Sequence, residues 1–214
     1  MSHYCYIMGH MSKMRLHSAS GHRLYLSQSE RQVFLQLARK QRPEVRTFAE
    51  TLAYSGCRIS EALELVPGRV ELDEQRLVFR SLKKRRQDVY RMVPVPEEYI
   101  DTLNIVHKVR EAKKVSKRKT VPLWPWTRRH ASRIIKQLMI NADIQEGPHR
   151  TAKGLRHSYG VNAIVSGVPL NMLRKWMGHT DIKTTAIYAD AVGSEETDIA
   201  GRMWAAESSQ HDKI

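Results

Sequence analysis

Cysteine is nearly missing from this chain: Cys5 and Cys57 are the only two in 214 residues. A disulfide framework is thereby excluded, and Cys57, set in an apolar segment, reads as a free thiol in a reducing compartment. Long apolar runs are missing too. No stretch approaches the roughly 20 residues that cross a bilayer, and the N-terminus lacks the apolar centre of a secretory signal, so the expected location is the cytoplasm. There is no Gly-rich phosphate loop, no carboxylate cluster at metal-ligand spacing and no internal repeat, so neither metal nor other cofactor is expected. Acidic residues are scarce: 22 Asp and Glu stand against 36 Lys and Arg, a formal charge of +14. That surplus implies a polyanionic partner, nucleic acid before an anionic membrane surface.

What is present fits one compact domain with a real core. Residues 1 to 26 hold His3, Cys5, His10, His17 and His22 among Met, Ser and Gly without periodicity, and read as a mobile leader rather than a metal site. Order is expected from Ser27, where Ser27-Gln28-Ser29-Glu30 forms a capping box ahead of Val33, Phe34 and Leu37. A second helix opens at Pro43 and stops at Gly56, delivering Arg58 at a helix end, and Ser60 is expected to cap a short helix through Leu65. Three runs rich in β-branched residues, Val70 to Leu72, Arg76 to Arg80 and Val89 to Val95, predict a small antiparallel sheet whose last turn carries Lys83, Lys84, Arg85 and Arg86. Helical spacing resumes from Pro96, from Thr127, around Arg156 and from Pro169 to Gly178, with a last helix expected over residues 195 to 206. Trp124 and Trp126 flank a proline and read as a packed connection.

Three polar clusters punctuate the last third: Lys153-Gly154-Leu155-Arg156-His157-Ser158-Tyr159, then Trp176-Met177-Gly178-His179, then Thr184-Thr185-Ala186-Ile187-Tyr188. Such groups suit phosphate chemistry. A tyrosine that attacks a phosphodiester must lose a proton held with a pKa of about 10, and the crowded anionic transition state needs fixed donors. Arginine suits that task because its planar guanidinium engages two phosphate oxygens and stays charged.

The order of these clusters resembles the C-terminal signature of the tyrosine recombinase (phage integrase) family: a basic residue, two spacers and Arg, then Gly-His, then Tyr. Ser55-Gly56-Cys57-Arg58-Ile59-Ser60-Glu61 is similar to the family's first arginine motif, and Ser81-Leu82-Lys83-Lys84-Arg85-Arg86 to its lysine-bearing hairpin. The resemblance covers roughly residues 27 to 205, and implies a mainly α-helical catalytic domain with a small three-stranded antiparallel sheet over residues 27 to 214. It implies Tyr188 as the nucleophile, Arg58, Arg156 and His179 as transition-state donors, and Lys83, with Lys84 as the alternative, as the acid on the leaving oxygen. Lys153 stands where most members have histidine. Lysine donates to a phosphate oxygen but accepts a proton only if its pKa is lowered, so the general base stays open. Glu61 is expected to orient Arg58 or Lys153, and His157 to be a buried, hydrogen-bonded structural residue pointing elsewhere.

By the same resemblance the partner is double-stranded DNA carrying specific recombination sites, bound by a dimer to tetramer, with room for an accessory DNA-bending protein. Only 57 residues precede Arg58, so the chain resembles short recombinases that carry the catalytic domain alone. Ile199, Met203 and Trp204 form an apolar stripe expected to pack on a neighbouring protomer. Two other readings stay in view: a DNA-binding regulator of the same fold without activity, and a type IB topoisomerase acting without a specific site.

Overall fold

The computed structural model describes residues 15–80, 89–189 and 201. The first helix, α1 (Gln28–Arg39), starts where the capping box places it: the Ser27 hydroxyl accepts from the Glu30 amide, and the Glu30 carboxylate accepts from the Ser27 amide at 2.7 Å. α2 (Pro43–Ser55) begins on its proline and ends at Gly56, whose left-handed φ of 57° favours glycine and where a Cβ would run into the Tyr159 ring. α3 (Ile59–Leu63) follows at once. Its cap position is held by Arg58, not by Ser60, because the Glu61 carboxylate reaches back to the Arg58 amide at 2.7 Å.

After a 3-10 turn over Pro67–Arg69 the chain forms a three-stranded antiparallel sheet of β1 (Val70–Glu71), β2 (Arg76–Arg80) and β3 (Tyr90–Pro94), in that order. Leu77 pairs with Val93 and Phe79 with Arg91, so the pleat turns these four toward the interior. The expected turn carrying Lys83 to Arg86 lies outside the described residues. α4 (Glu97–His107), α5 (Val109–Lys114) and α6 (Ser116–Lys119) come next. The basic run from Lys113 to Lys119 is carried by these last two short helices, broken from α4 by Lys108 at φ 49°.

α7 (Arg128–Asn141), capped by Thr127, α8 (Ala152–Val165), α9 (Leu170–Met177) and α10 (Lys183–Ala186) complete the described elements. Phe34, Phe48, Leu52, Leu77, Val93, Ile135 and Leu155 anchor the main core. Trp124 belongs to it, edge-on to Phe48, with its indole N–H donating to the Glu44 carbonyl at 3.0 Å. That makes Trp124 a packed connection rather than an exposed stacking platform.

A second cluster holds Leu16, Tyr159, Leu173, Met177 and Tyr188. Its first member corrects one boundary. Leu16 and Leu26 are buried, and His17 pairs with Arg23 in an isolated antiparallel bridge, so the packed chain reaches back beyond Ser27 into the expected leader. Apolar burial there is delivered by single residues, which periodicity cannot register. Cys57 is a buried free thiol, as read, while Cys5 and the expected helix over residues 195 to 206 lie outside the described residues.

Candidate active site

α8 is enclosed: every residue from Gly154 to Val161 is buried. A surface helix shows one apolar and one polar face, whereas this one meets protein all round, so Arg156 and His157 are both buried although their side chains leave the axis about 100° apart. Arg156 donates to the Gly56 carbonyl at the end of α2 and to the Met177 carbonyl at the end of α9, the latter at 2.8 Å. Two helix C-termini thus turn their negative ends on one guanidinium. Burial, then the charge of Arg58, pushes its pKa down to about 10, which leaves it protonated at neutral pH.

The same guanidinium donates to His179 Nε2 at 3.0 Å. Guanidinium has no acceptor, so Nε2 is the bare nitrogen and Nδ1 carries the hydrogen, donated to Thr185 Oγ1 at 3.0 Å. Gly178, at φ 66°, ends α9 and turns His179 inward. Burial and the charges of Arg156 and Arg58 push the imidazole down to about 3, so the ring is neutral.

Glu61 is the carboxylate of the site. It takes Arg58 Nη1 at 2.9 Å, and Arg91 Nη1 and Nη2 at 3.1 and 2.7 Å. Burial alone would raise its pKa, but Arg91 and Arg58 reverse that and hold it below the usual carboxylate range. Of the two partners expected for Glu61, Arg58 is therefore one and Lys153 is not. Arg91 was not anticipated. It is buried, lies over the Phe79 ring at 5.1 Å and donates Nε to the Trp176 carbonyl at 2.8 Å. One carboxylate thus meets two guanidiniums, with a third, that of Arg156, close by. The surplus is cationic and suits an anion.

Tyr188 is fully buried, its ring 5.9 Å from that of His157 and 6.3 Å from that of His179, nearly parallel to the latter. Gly160 makes room for it: a Cβ there would lie 2.5 Å from Tyr188 Cε1. The hydroxyl meets His157 Nδ1 at 3.1 Å. Burial pushes the phenol up to about 12 against the pull of Arg156 and Arg58. His157 is buried and hydrogen-bonded, as read from sequence, but it does not point elsewhere: its partner is the tyrosine of the signature.

The fold thus gathers Arg58, Arg156, His179 and Tyr188. Lys153 is exposed in the first turn of α8 and makes no hydrogen bond or ion pair among the described residues, although its charge helps to lower the pKa of His157. Lys83 and Lys84 lie outside the described residues.

The two neutral histidines set a pH dependence. His157 is pushed down to about 4, by burial first and then by Lys153 and Arg156, and His179 to about 3. An unfolded imidazole titrates near 6.5, so below that value the unfolded chain takes up protons that the folded one refuses. Their contribution is complete above about pH 6.5 and declines as pH falls toward the folded values. Urea unfolding at pH 7.5, 6 and 5 should show stability falling by up to about 3 kcal/mol per pH unit at the steepest point, about 1.4 for each histidine. A flat profile from 7.5 to 5 would show that these rings titrate in the folded chain as they do in the unfolded one.

The architecture is that of a tyrosine recombinase catalytic domain. The catalytic domain of bacteriophage HP1 integrase superposes with a TM-score of 0.59 at 21% identity, over 78% of this chain and 86% of that one. The XerH site-specific recombinase, solved in a post-cleavage complex with a palindromic difH substrate, gives a TM-score of 0.69 at 19% identity over 95% of this chain and 60% of its own. The phage integrase family model matches residues 25–194, and the chain belongs to that family. Tyrosine recombinase XerD of Staphylococcus saprophyticus is 28% identical over 159 residues, 70% of this chain and 51% of the relative. The chain spans about half the length of the curated relatives it matches.

Proposed function

We propose that this protein is a site-specific DNA recombinase that cuts and rejoins duplex DNA through a 3′-phosphotyrosine at Tyr188. The observation that carries the reading is the cationic surplus of Arg58, Arg91 and Arg156 around Glu61, the one carboxylate bonded to them among the described residues, with a tyrosine hydroxyl at its edge. A scissile phosphate supplies the missing negative charge. Tyr188 Oη gives its proton to solvent water as it attacks phosphorus, the bond to the 5′ oxygen breaks, and that oxygen takes a proton from Lys83 or Lys84. Arg58 and Arg156 hold the nonbridging oxygens, with His179 joining them once Arg156 leaves its Nε2 and that nitrogen carries the ring hydrogen, and the phosphodiester energy is kept in the new link for rejoining. Lys153, exposed at the start of α8, contacts the DNA backbone. Exposed Arg128, Arg129, Arg133 and Lys136 on α7 add a sequence-independent phosphate term.

The working form in this reading is a dimer to tetramer on two DNA sites, acting in the cytoplasm, with an accessory DNA-bending protein where the sites require one. Among the described residues no helix is long and apolar enough to cross a membrane.

The test is covalent capture. Purified protein is incubated with fragmented DNA from its source, denatured, and the DNA that remains attached is sequenced. Recovery of one sequence flanked by inverted repeats, with the adduct mapped to Tyr188, is the expected result. Adducts on arbitrary sequences would favour a topoisomerase, and tight binding without any adduct would favour a regulator.

A further inference from the structure

The Tyr188 hydroxyl is not in an attacking position. The residue has no exposed surface, and its oxygen faces an imidazole rather than the solvent from which a phosphate approaches. The direction of that hydrogen bond follows from counting orphans. If His157 donated from Nδ1, both the phenolic hydrogen and the bare Nε2 would be unpaired, because Nε2 has no partner. If the phenol donates to Nδ1, only the Nε2 hydrogen is unpaired. The second arrangement leaves fewer buried groups unsatisfied and is the one adopted.

We propose that His157 is a positioning residue that holds Tyr188 buried and protonated before DNA arrives, and that cleavage requires this hydrogen bond to be broken. The inference rests on the reading of Tyr188 as nucleophile. Three observations support it. Ring and hydroxyl are held at separate points: Gly160 seats the ring, His157 takes the hydroxyl. The groups facing the imidazole are cationic, Lys153 in the preceding turn and Arg156 beside it, and they oppose an imidazolium. With burial pushing the phenol up and the imidazole down, proton transfer between them is disfavoured, so the contact stores the proton rather than removing it. His179, the other ring beside Tyr188, is also engaged, its bare nitrogen occupied by Arg156. Entry of a phosphate between Arg58 and Arg156 would compete for the donor that holds His179 and loosen that ring beside the tyrosine.

The experiment uses the full chain carrying 3-fluorotyrosine, with the Tyr188 fluorine signal assigned by its loss in Tyr188→Phe. A soluble gadolinium chelate reports exposure. The wild-type signal should be protected, His157→Leu should raise its relaxation enhancement several-fold, and His157→Asn, whose amide places a polar atom near the Nδ1 position, should stay protected. Unchanged protection in His157→Leu would overturn the proposal. Should that variant not fold, His157→Phe, which keeps the ring and removes the acceptor, makes the same comparison. Single-turnover adduct formation on nicked duplex DNA of the captured sequence gives the second readout. His157→Leu should cleave as fast as the parent or faster, and a fall of more than about tenfold that Asn restores would make His157 a proton acceptor and overturn the holding role. If no protein forms an adduct, the recombinase reading fails, while the fluorine measurement still decides whether His157 holds the tyrosine.

Discussion

Replacing Tyr188 by phenylalanine is expected to leave duplex DNA binding at parental strength while adduct formation falls by more than roughly ten-thousandfold, to background. Phenylalanine fills the seat opposite Gly160 with the same ring, so packing against Leu16 and Met177 is kept. What is lost is one oxygen. His157 then has no partner at either nitrogen, which costs about 1 to 2 kcal/mol of stability, small beside the loss of the nucleophile. Binding is measured on the captured sequence by gel shift and covalent linkage on a denaturing gel. An adduct of normal yield would move the nucleophile elsewhere in the chain.

The second large effect is expected at Glu61. Glu61→Ala leaves Arg91, whose side chain is only 6% exposed, as a buried cation with no counter-charge beside Arg58. Breaking a buried pair in this way costs about 3 to 5 kcal/mol. For a chain of this size the melting temperature should fall by on the order of 10 °C. Cleavage should fall as well, because the amide and guanidinium of Arg58 are both positioned by the lost carboxylate. Glu61→Gln, which keeps the shape and part of the hydrogen bonding, should lie between. Scanning calorimetry and the adduct assay on the same samples separate the two losses. A melting point within two degrees of the parent would mean that the arginines are neutralised by something other than Glu61.

Much of this could be read from the sequence, and the reasons are local. Ser27 with Glu30, Pro43 with Gly56, Thr127, and Pro169 with Gly178 punctuate helices through chemistry contained within a few residues, and each sits where it was expected. The strands were legible through β-branched runs. Arg58, Arg156, His179 and Tyr188 were legible through their order along the chain, and the fold brings them together. Arg91 was not, because a charged residue in a strand reads as outward-facing. Its alternation with Val93 and Val95, both buried, was the available signal that it shares their inward face. The partner of His157 was illegible for a different reason. Tyr188 reaches it from 31 residues away, over a turn that follows α10, and no helical periodicity describes such a meeting. Ser60 failed as the predicted cap because the helix starts two residues earlier, with Glu61 reaching back to the Arg58 amide. The packed segment around Leu16 contributes single anchors rather than a pattern.

Arg91 also has a mechanical consequence. Its guanidinium is fastened at one edge to the carboxylate that sets Arg58 and at another to the Trp176 carbonyl, three residues before His179, while its backbone belongs to β3. The sheet and the cationic centre are therefore geared together. A slide of β3 along its own axis pulls on Glu61 and on the end of α9 at once, moving the seats of Arg58 and His179 in the same stroke. A force applied to β3 reaches Arg58 and His179 through one side chain, with no need for the helices between them to deform.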